Sequence, residues 1–378
     1  MKSCPGMRTG RLQSAMKSRA YNFGAGPAML PESILRDAQA DLLNWQGQGM
    51  SVMEIGHRTD AYMALMQQAE ADLRALINIP KHYHVLFLGG AARTQFAMIP
   101  MNLLAASQQG AYLVSGIWSK LAFAEACKVK QAYCVASSEA GGFVATPGLA
   151  DITLREHTGY LYYTPNETVN GVQFAQTPRF GSVPLIADMT SCLLSEPIDV
   201  NEFGLIFAGA QKNISPAGLT IIIIRADLLD QQAEQGLPTM LDYRTHVEHQ
   251  SLYATPPAFN CYLAAKMFGW IKEQGGVERF YQINCIKAAK LYDYIDQSSF
   301  YHCAVQTGSR SIMNVCFSLV KDALQPQFLT AASEAGLYAL QGHRLVGGLR
   351  ASLYNAMPME GVDSLITCMH AFAKEHQS

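Results

Sequence analysis

The stretch Phe207-Ala-Gly-Ala-Gln-Lys-Asn-Ile-Ser-Pro-Ala-Gly-Leu-Thr-Ile-Ile-Ile-Ile224 decides the fold of this chain. An apolar run over residues 204–208 leads into a turn of small residues that carries Lys212, and residues 215–218 return the chain into a second apolar run. This pattern predicts two buried strands that bracket one turn. Burial at such a turn disfavours the ammonium form of Lys212 and leaves an amine suited to Schiff-base chemistry. The alternative is a surface lysine in a hairpin. Judged from this stretch alone, the surface lysine is slightly favoured over the buried amine.

The composition argues against several classes of protein. Hydrophobic residues make up 49% of the 378 residues and charged residues 15%, with a formal net charge of −2. Balanced charge argues against nucleic-acid binding and membrane-surface attachment, and the apolar runs are strand-sized rather than membrane-spanning. The nine cysteines are scattered without a Cys-x-x-Cys pair. This pattern indicates neither a disulfide framework nor a metal site, and it predicts a cytoplasmic protein.

Residues 1–20 differ from the rest of the sequence. They hold five basic side chains and no acidic one, and no apolar segment follows them, so they lack the pattern of a secretory signal. We expect a basic, disordered extension here. A transit peptide, or a true start at Met7 or Met16, is the alternative.

From residue 85 onward, short apolar runs alternate with helical patterns, and Gly or Pro turns separate them. This alternation is typical of an α/β fold with a doubly wound, mostly parallel sheet. The predicted strands cover residues 85–88, 112–115, 161–164, 184–187 and 204–208.

The sequence divides into an arm and two domains. Residues 21–32 are punctuated by Gly and Pro and predict an ordered N-terminal arm. Residues 33–280 hold the alternating pattern and form the large domain. A long helix predicted over residues 277–295 leads into residues 281–378, where the pattern of strands and helices predicts a smaller C-terminal α+β domain.

The candidate functional residues follow the predicted strands. Parallel strands end at one edge of a sheet, and open α/β sheets bind ligands at that edge. The residues that converge there are Ala92, Arg93, Trp118, Thr168, Asp188 and Lys212.

Each of these groups has an ordinary and a chemical interpretation. Gly89-Gly-Ala-Ala-Arg93 opens a helix, so its amides form either a plain turn or an anion site. Trp118 is a core residue or a flat face for a planar ring. Asp188 is a cap for the next segment or the partner of a cationic ring nitrogen. Taken together with Lys212, these features describe a site for pyridoxal phosphate.

Six motifs make the chain similar to a known family. They include Ser51-Val-Met-Glu-Ile-Gly-His-Arg58, Thr164-Pro-Asn-Glu-Thr-Val-Asn-Gly171 and Gly342-His-Arg-Leu-Val-Gly-Gly-Leu-Arg350. From about Tyr21 to its C-terminus the chain resembles the phosphoserine aminotransferases, class-V members of the fold-type-I pyridoxal-phosphate enzymes. The resemblance implies interconversion of 3-phosphohydroxypyruvate and glutamate with phosphoserine and 2-oxoglutarate in serine biosynthesis. It leaves open the use of 3-hydroxy-2-oxo-4-phosphobutanoate in pyridoxine biosynthesis.

The resemblance also implies roles for single residues at the cofactor. Lys212 forms the Schiff base and moves the proton, Asp188 keeps the ring nitrogen protonated, Trp118 stacks on the ring, and Thr168 contacts the ring 3-oxygen. The implied cofactor-binding residues are Ala92, Arg93, Trp118, Thr168, Asp188, Gln211, Lys212 and, from the second subunit of a homodimer, Thr255.

For the substrate, the resemblance implies a group of cations. Arg350 binds the α-carboxylate, and guanidinium groups suit bidentate recognition of carboxylate and phosphate. The distal phosphate or γ-carboxylate is received by His57, Arg58, His343 and Arg344. One departure from the family is Ala254, where asparagine is frequent, and it removes one cross-subunit phosphate contact.

Two alternatives remain at this level. Another class-V enzyme could be a small-substrate transaminase or a cysteine desulfurase, but a desulfurase needs a mobile cysteine and Cys316 lies inside a strand pattern typical of a core. A protein that binds pyridoxal phosphate without turnover is the second alternative. Yellow colour of the purified protein, and its change with glutamate, would separate these classes.

Overall fold

The computed structural model describes residues 19–150, 152–230 and 236–376. The extension predicted over residues 1–20 therefore lies outside the described residues, apart from Arg19 and Ala20. Arg19 donates from Nη1 to the carbonyl oxygen of Leu30 at 2.6 Å, which ties it to the N-terminal arm.

Strands and helices occur along the whole described chain. The strands are β1 (Tyr21–Asn22), β2 (Tyr83–Gly89), β3 (Gln109–Val114), β4 (Ala132–Ser137), β5 (Thr158–Tyr163), β6 (Asn166–Glu167), β7 (Val172–Gln173), β8 (Leu185–Asp188), β9 (Leu205–Gly209), β10 (Leu219–Arg225), β11 (Tyr301–His302), β12 (Asn314–Leu319), β13 (Leu337–Tyr338) and β14 (Leu349–Ser352). The α-helices are α1 (Glu32–Asp41), α2 (Asp60–Leu76), α3 (Gln95–Leu103), α4 (Ile117–Val129), α5 (Asp227–Asp230), α6 (Tyr243–Glu248), α7 (Ala258–Glu273), α8 (Gly276–Gln297), α9 (Gln325–Glu334) and α10 (Met359–His376).

A seven-stranded sheet forms the centre of the described chain, in the order β2-β10-β9-β8-β5-β3-β4. Neighbouring strands from β9 to β4 pair in parallel, whereas β10 pairs antiparallel with both β9 and β2. Residues 205–209 and 219–224 are buried throughout, as expected for central strands covered on both faces. The prediction of a doubly wound, mostly parallel sheet is confirmed.

The direction of the strands gathers their carboxyl ends at one edge of the sheet. Because β10 is antiparallel to both neighbours, β2 runs in the same direction as β9. The strand ends at this edge are Gly89, Val114, Tyr163, Asp188 and Gly209. The site residues that follow these strands are therefore brought together by the topology of the sheet.

Helices cover both faces of this sheet. On one face, α1, α2 and α7 contribute Ile34, Leu73 and Phe268 to the largest hydrophobic cluster. On the other face, α3 and α4 contribute Ile99 and Ala126 to a second cluster. The two cores hold the sheet rigidly between them, so the loops at its carboxyl edge are fixed at their bases.

A third core lies in the C-terminal part of the chain, around the three-stranded sheet β11-β12-β14. Helix α8 contributes to two cores, because Phe280 packs in the first and Leu291 packs in the third. The N-terminal arm also joins this third core through Phe23, and Tyr21 in β1 pairs in parallel with Leu337 in β13.

Some elements were not predicted from the sequence. Strand β4 is an edge strand with mixed burial, so it lacks the apolar run that identified its neighbours. Strands β6 and β7 form a short antiparallel pair inside the stretch after β5. Among the helices of the described residues, none is long and apolar enough to cross a membrane.

Candidate active site

Lys212 lies in the tight turn between β9 and β10. The amides of Ile214 and Ser215 both donate to the carbonyl oxygen of Ala210, at 3.1 and 2.8 Å, which forms one helical turn around the lysine. The side chain is 8% exposed, and its Nζ donates to Oγ1 of Thr168. Burial lowers the pKa of Lys212 to about 8, although the Asp188 carboxylate acts to raise it. Near physiological pH the amine therefore gives up its proton more readily than an exposed lysine does.

Asp188 is the last residue of β8 and is also buried. Its Oδ1 accepts a hydrogen bond from the amide of Thr190 at 3.0 Å. Burial raises the pKa of Asp188, and the bonds from Thr190 and the charge of Lys212 oppose that rise. The structure thus keeps a carboxylate and an amine of opposite charge in one buried cavity.

Trp118 lies in the first turn of α4 and forms a wall of this cavity. The guanidinium carbon of Arg93 lies 4.8 Å from the centroid of its ring, and Nζ of Lys212 lies 5.6 Å from it. Its indole Nε1 is buried and has no hydrogen-bond partner among the described residues. A buried donor without a partner is costly, and this one belongs to a residue that lines the cavity.

The turn after β2 forms the floor of the cavity. Gly90 has φ +123°, a conformation that favours glycine, and its amide donates to the carbonyl oxygen of Gly218 at 2.9 Å. Ala92 and Arg93 then open a short 3₁₀ helix that continues into α3. Their amides therefore have no carbonyl partner within the helix. Such amides at a helix start bind anions.

Gln211 completes this floor because Gly209 has no side chain. A Cβ added to Gly209 would lie 2.6 Å from Oε1 of Gln211 and 3.0 Å from Cβ of Ala92. Because that carbon is absent, the side-chain amide of Gln211 can lie beside Ala92 and Arg93.

Cationic groups gather beside the cavity on the C-terminal part of the chain. Arg350 in β14 donates from Nη1 to the carbonyl oxygen of Thr168 at 3.4 Å. Partial burial lowers the pKa of His343, and the guanidinium groups of Arg350, Arg344 and Arg93 lower it further. The excess of positive charge here suits a ligand with more than one negative charge.

Residues 20–365 match the aminotransferase class-V family. Over 361 residues the chain is 62% identical to the phosphoserine aminotransferase of Legionella pneumophila (strain Lens), which covers 96% of this chain and 100% of that protein. The chain belongs to the phosphoserine aminotransferase family of class-V aminotransferases. The family resemblance predicted from the motifs is confirmed.

Solved structures of this aminotransferase family have the same fold. A phosphoserine aminotransferase from Bacillus circulans subsp. alkalophilus superposes with a TM-score of 0.93 at 47% identity, covering 95% of this chain and 99% of that one. Another, from Trichomonas vaginalis with pyridoxal phosphate bound, superposes with a TM-score of 0.88 at 39% identity, covering 93% and 100%. The predicted fold class is confirmed over nearly the whole chain.

Within this aminotransferase, one cavity brings together most of the cofactor residues predicted from the sequence. Its lining includes the 89–94 turn, the end of β8 and the turn after β9. The predicted residues that line it are Ala92, Arg93, Trp118, Thr168, Asp188, Gln211 and Lys212.

The remaining predicted residues lie outside that cavity. His343 and Arg350 line an adjoining one, and Arg344 is exposed on the same loop. Thr255 lines a third cavity, on the other side of the 89–94 turn. His57 is half-buried and Arg58 is exposed, both just before α2, and neither is among the residues that line the Lys212 cavity. A single chain therefore assembles the cofactor cavity but not all of the predicted substrate site.

Sequence reasoning missed several polar residues around the cavity. Asn166, Thr190 and Ser191 line it, and Glu167 lies directly behind Trp118. The available signal was their position, since each lies next to a strand end that carries a predicted residue. Glu167 in particular is adjacent to Thr168, yet its partners lie 48 and 49 positions away.

Proposed function

We propose that this aminotransferase binds pyridoxal phosphate and interconverts 3-phosphohydroxypyruvate and glutamate with phosphoserine and 2-oxoglutarate. The observation that carries the proposal is Lys212, a buried amine with a lowered pKa that opens on a cavity shared with the buried carboxylate of Asp188. The family relationship and the names of the relatives support the same reaction.

The residues of the cavity fit a planar ring that carries a phosphate. Trp118 offers a flat face with an unpartnered donor, and the amides of Ala92 and Arg93 suit the phosphate. Asp188 would hold a proton on a ring nitrogen, and Thr168 is within reach of a ring oxygen beside Lys212. When bound, pyridoxal phosphate would supply a carbonyl that accepts the amino group and an electron sink that stabilises the carbanion.

Lys212 carries the proton-transfer role in this proposal. Its pKa of about 8 lets the amine accept a proton and return it near neutral pH. Thr168 holds Nζ at the cavity, and the Trp118 wall restricts access of water to it.

The substrate assignment is supported by the cations beside the cavity. Arg350 donates to the carbonyl oxygen of Thr168 and lies two positions after Gly348, and its guanidinium would bind the α-carboxylate that is common to all substrates. His343 and Arg344 lie on the preceding loop and suit the distal phosphate or γ-carboxylate. The same groups would accept 3-hydroxy-2-oxo-4-phosphobutanoate, which also carries a distal phosphate.

We further infer a cytoplasmic homodimer in which Thr255, His57 and Arg58 reach the partner's site. Large apolar side chains are exposed in the segment that precedes His57, including Leu43 at 84% and Met53 at 59%. The His57 ring also carries a buried Nε2 without a partner in the described chain. An interface between two copies would cover these groups and bring the cations toward the second cavity.

A cysteine desulfurase is the less favoured alternative. Burial raises the pKa of the Cys316 thiol to about 12, and its Sγ donates to the carbonyl oxygen of Val169 at 3.5 Å. Such a thiol is a poor nucleophile and is held within a strand. A small-substrate transaminase would not need the cations around His343, and a binding protein without turnover would not need the amine of Lys212.

The test compares Arg350→Ala with Arg58→Ala, using Arg36→Ala at an exposed position of α1 as a control. Loss of one charge-assisted contact lowers efficiency by roughly 10- to 100-fold. We expect Arg350→Ala to lower kcat/KM for phosphoserine and for alanine alike. Arg58→Ala should lower it for phosphoserine and glutamate but leave the slow reaction with alanine unchanged.

The outcome that overturns this assignment is an equal loss on both substrates in Arg58→Ala. Wild-type protein that stays colourless with pyridoxal phosphate and does not convert phosphoserine with 2-oxoglutarate would refute the proposed function as a whole. Turnover with the four-carbon phosphorylated keto acid, measured in the same assay, decides the range of substrates.

A further inference from the structure

A second buried carboxylate, that of Glu167, lies behind the wall of the cavity. Glu167 is the second residue of β6 and is 0% exposed. It belongs to the turn that also carries Thr168. No Lys, Arg or His within the described ranges lies within ion-pairing distance of it. A buried charge without a cation has to be stabilised by hydrogen-bond donors.

Those donors are the first amides of α4. Oε2 of Glu167 accepts from the amide of Trp118 at 3.0 Å, and Oε1 accepts from the amide of Ser119 at 2.8 Å. The hydroxyl of Ser119 donates to Oε1 at 2.6 Å. Asn170, from the same turn as Glu167, accepts the amide of Ile117 at 3.1 Å. A distant loop thus satisfies the amides that a helix N-terminus leaves without partners.

The backbone before α4 leaves room for this carboxylate. A Cβ added to Gly116 would lie 2.5 Å from Cδ of Glu167 and 2.7 Å from Oε2. These distances are too short for any side chain, so the helix start can hold the carboxylate only with glycine at this position.

We propose that Glu167 is a positioning residue that fixes the Trp118 ring against Thr168 and Lys212. Trp118 is bonded through its own amide to Glu167, and Thr168 is the next residue in the chain and accepts from Nζ of Lys212. One carboxylate therefore joins the wall that carries the ring to the loop that holds the lysine. The proposal rests on the proposed function, because it gives Trp118 its role at the cofactor.

The charge of Glu167 matters as well as its shape. Burial, with a smaller contribution from the nearby Asp188, raises the pKa of its carboxyl to about 6 against the bonds from Ser119 and Trp118, which lower it. Lys212 and Tyr162 also face it. At neutral pH both oxygens accept amides. A glutamine would turn its NH₂ group toward one of these amides and lose that bond.

The experiment compares Glu167→Gln with Glu139→Gln. Glu139 is exposed and pairs with the side chain of Lys120 in α4, so its substitution removes a charge near the helix without removing an acceptor of the amides of residues 117–119. The first readout is amide hydrogen exchange of residues 117–119, with and without pyridoxal phosphate. The second is the dissociation constant of pyridoxal phosphate, together with the visible circular dichroism of the bound cofactor.

For Glu167→Gln we expect exchange at Trp118 and Ser119 to be about tenfold faster or more, in both states of the protein. We expect the dissociation constant to rise about 10- to 100-fold, with weaker circular dichroism. Glu139→Gln should match wild type in all three. Exchange and dissociation constant within twofold of the Glu139→Gln values would overturn the proposal.

A second variant keeps the test decisive if Glu167→Gln does not fold. Asn170→Ala removes only the bond to the amide of Ile117 and should give a smaller change of the same sign, with Asn170→Asp restoring wild-type exchange. Unchanged exchange in Asn170→Ala would count against the proposal. Failure of wild type to bind pyridoxal phosphate would refute the proposed function, whereas unchanged exchange in the protein without cofactor refutes the role of Glu167 alone.

Discussion

Within the described ranges two lysines are buried, and they lie in regions of opposite character. Lys212 lies in the turn after β9, where the structure opens into a cavity. Lys287 lies in the middle of α8, the helix shared by two cores, and is 0% exposed. Burial lowers the pKa of both, to about 8 for Lys212 and to about 7 for Lys287.

The two amines differ in how their hydrogens are used. Nζ of Lys287 donates to the carbonyl oxygens of Leu353, Tyr354 and Met357, at 2.8, 2.9 and 3.1 Å. These bonds use all three donors of an ammonium group. Nζ of Lys212 donates to Thr168, and its neighbours include the charges of Asp188 and Arg350.

This difference teaches that a lowered pKa does not by itself identify a catalytic lysine. Lys287 holds together the turn that follows β14 and has no open space before it. Lys212 has donor capacity left and a cavity in front of it, so a ligand can react with it. The geometry around the amine therefore distinguishes a structural lysine from a reactive one.

The largest expected effect is that of Lys212→Ala. Without the amine there is no group to react with the cofactor carbonyl, so we expect kcat for phosphoserine with 2-oxoglutarate to fall by at least about three orders of magnitude. The protein should still fold and bind pyridoxal phosphate through the 89–94 turn. Activity within tenfold of wild type would contradict the assignment of Lys212 as the reactive lysine.

Lys287→Met should act on stability rather than on chemistry. It leaves three buried carbonyls without their donor, which we expect to lower the free energy of unfolding by about 2–4 kcal/mol. Urea unfolding measures this, and kcat per folded molecule should stay within a few-fold of wild type. Lys290→Met is the control, because Lys290 lies on the same helix as Lys287 but forms an exposed pair with Asp363 of α10. A loss of kcat like that of Lys212→Ala would contradict the assignment.

The smallest expected effect concerns pH. A lysine whose pKa is lower in the folded protein than in the unfolded chain makes the folded state more stable as pH rises from the folded pKa toward the unfolded one. For Lys287 this window opens at about pH 7. Between pH 6.5 and 8.5 the stability of wild type relative to Lys287→Met should therefore rise by about 1–2 kcal/mol. A difference that stays flat or falls over this range would show that the pKa is not lowered.

Much of the site could be predicted from sequence because its residues follow strands. Asp188 ends a short apolar run and Lys212 follows the next one, so a parallel sheet brings them together whatever the details of packing. The motifs identified the family. The cavity contains the expected lysine, carboxylate, tryptophan and helix start.

Other features depend on pairings that no local pattern contains. Tyr21 pairs with Leu337 in a parallel bridge, so the N-terminal arm becomes part of the third core. The reversal from β9 into β10 was predicted from the turn between them, but the pairing of β10 with β2 was not. Polar residues behind the cavity wall, such as Glu167, lack any signal of period or composition.

The sequence by itself therefore determined the sheet, its functional edge and the lysine with its carboxylate, because apolar periodicity and strand ends are local properties of the chain. Only the tertiary structure decided which buried amine faces a cavity and which is saturated by carbonyls, as Lys212 and Lys287 demonstrate. It also decided that Glu167 caps a helix 49 positions away. The physical reason is that hydrogen-bond partners of buried polar groups are set by the packing of distant elements, which the local pattern of a sequence does not record.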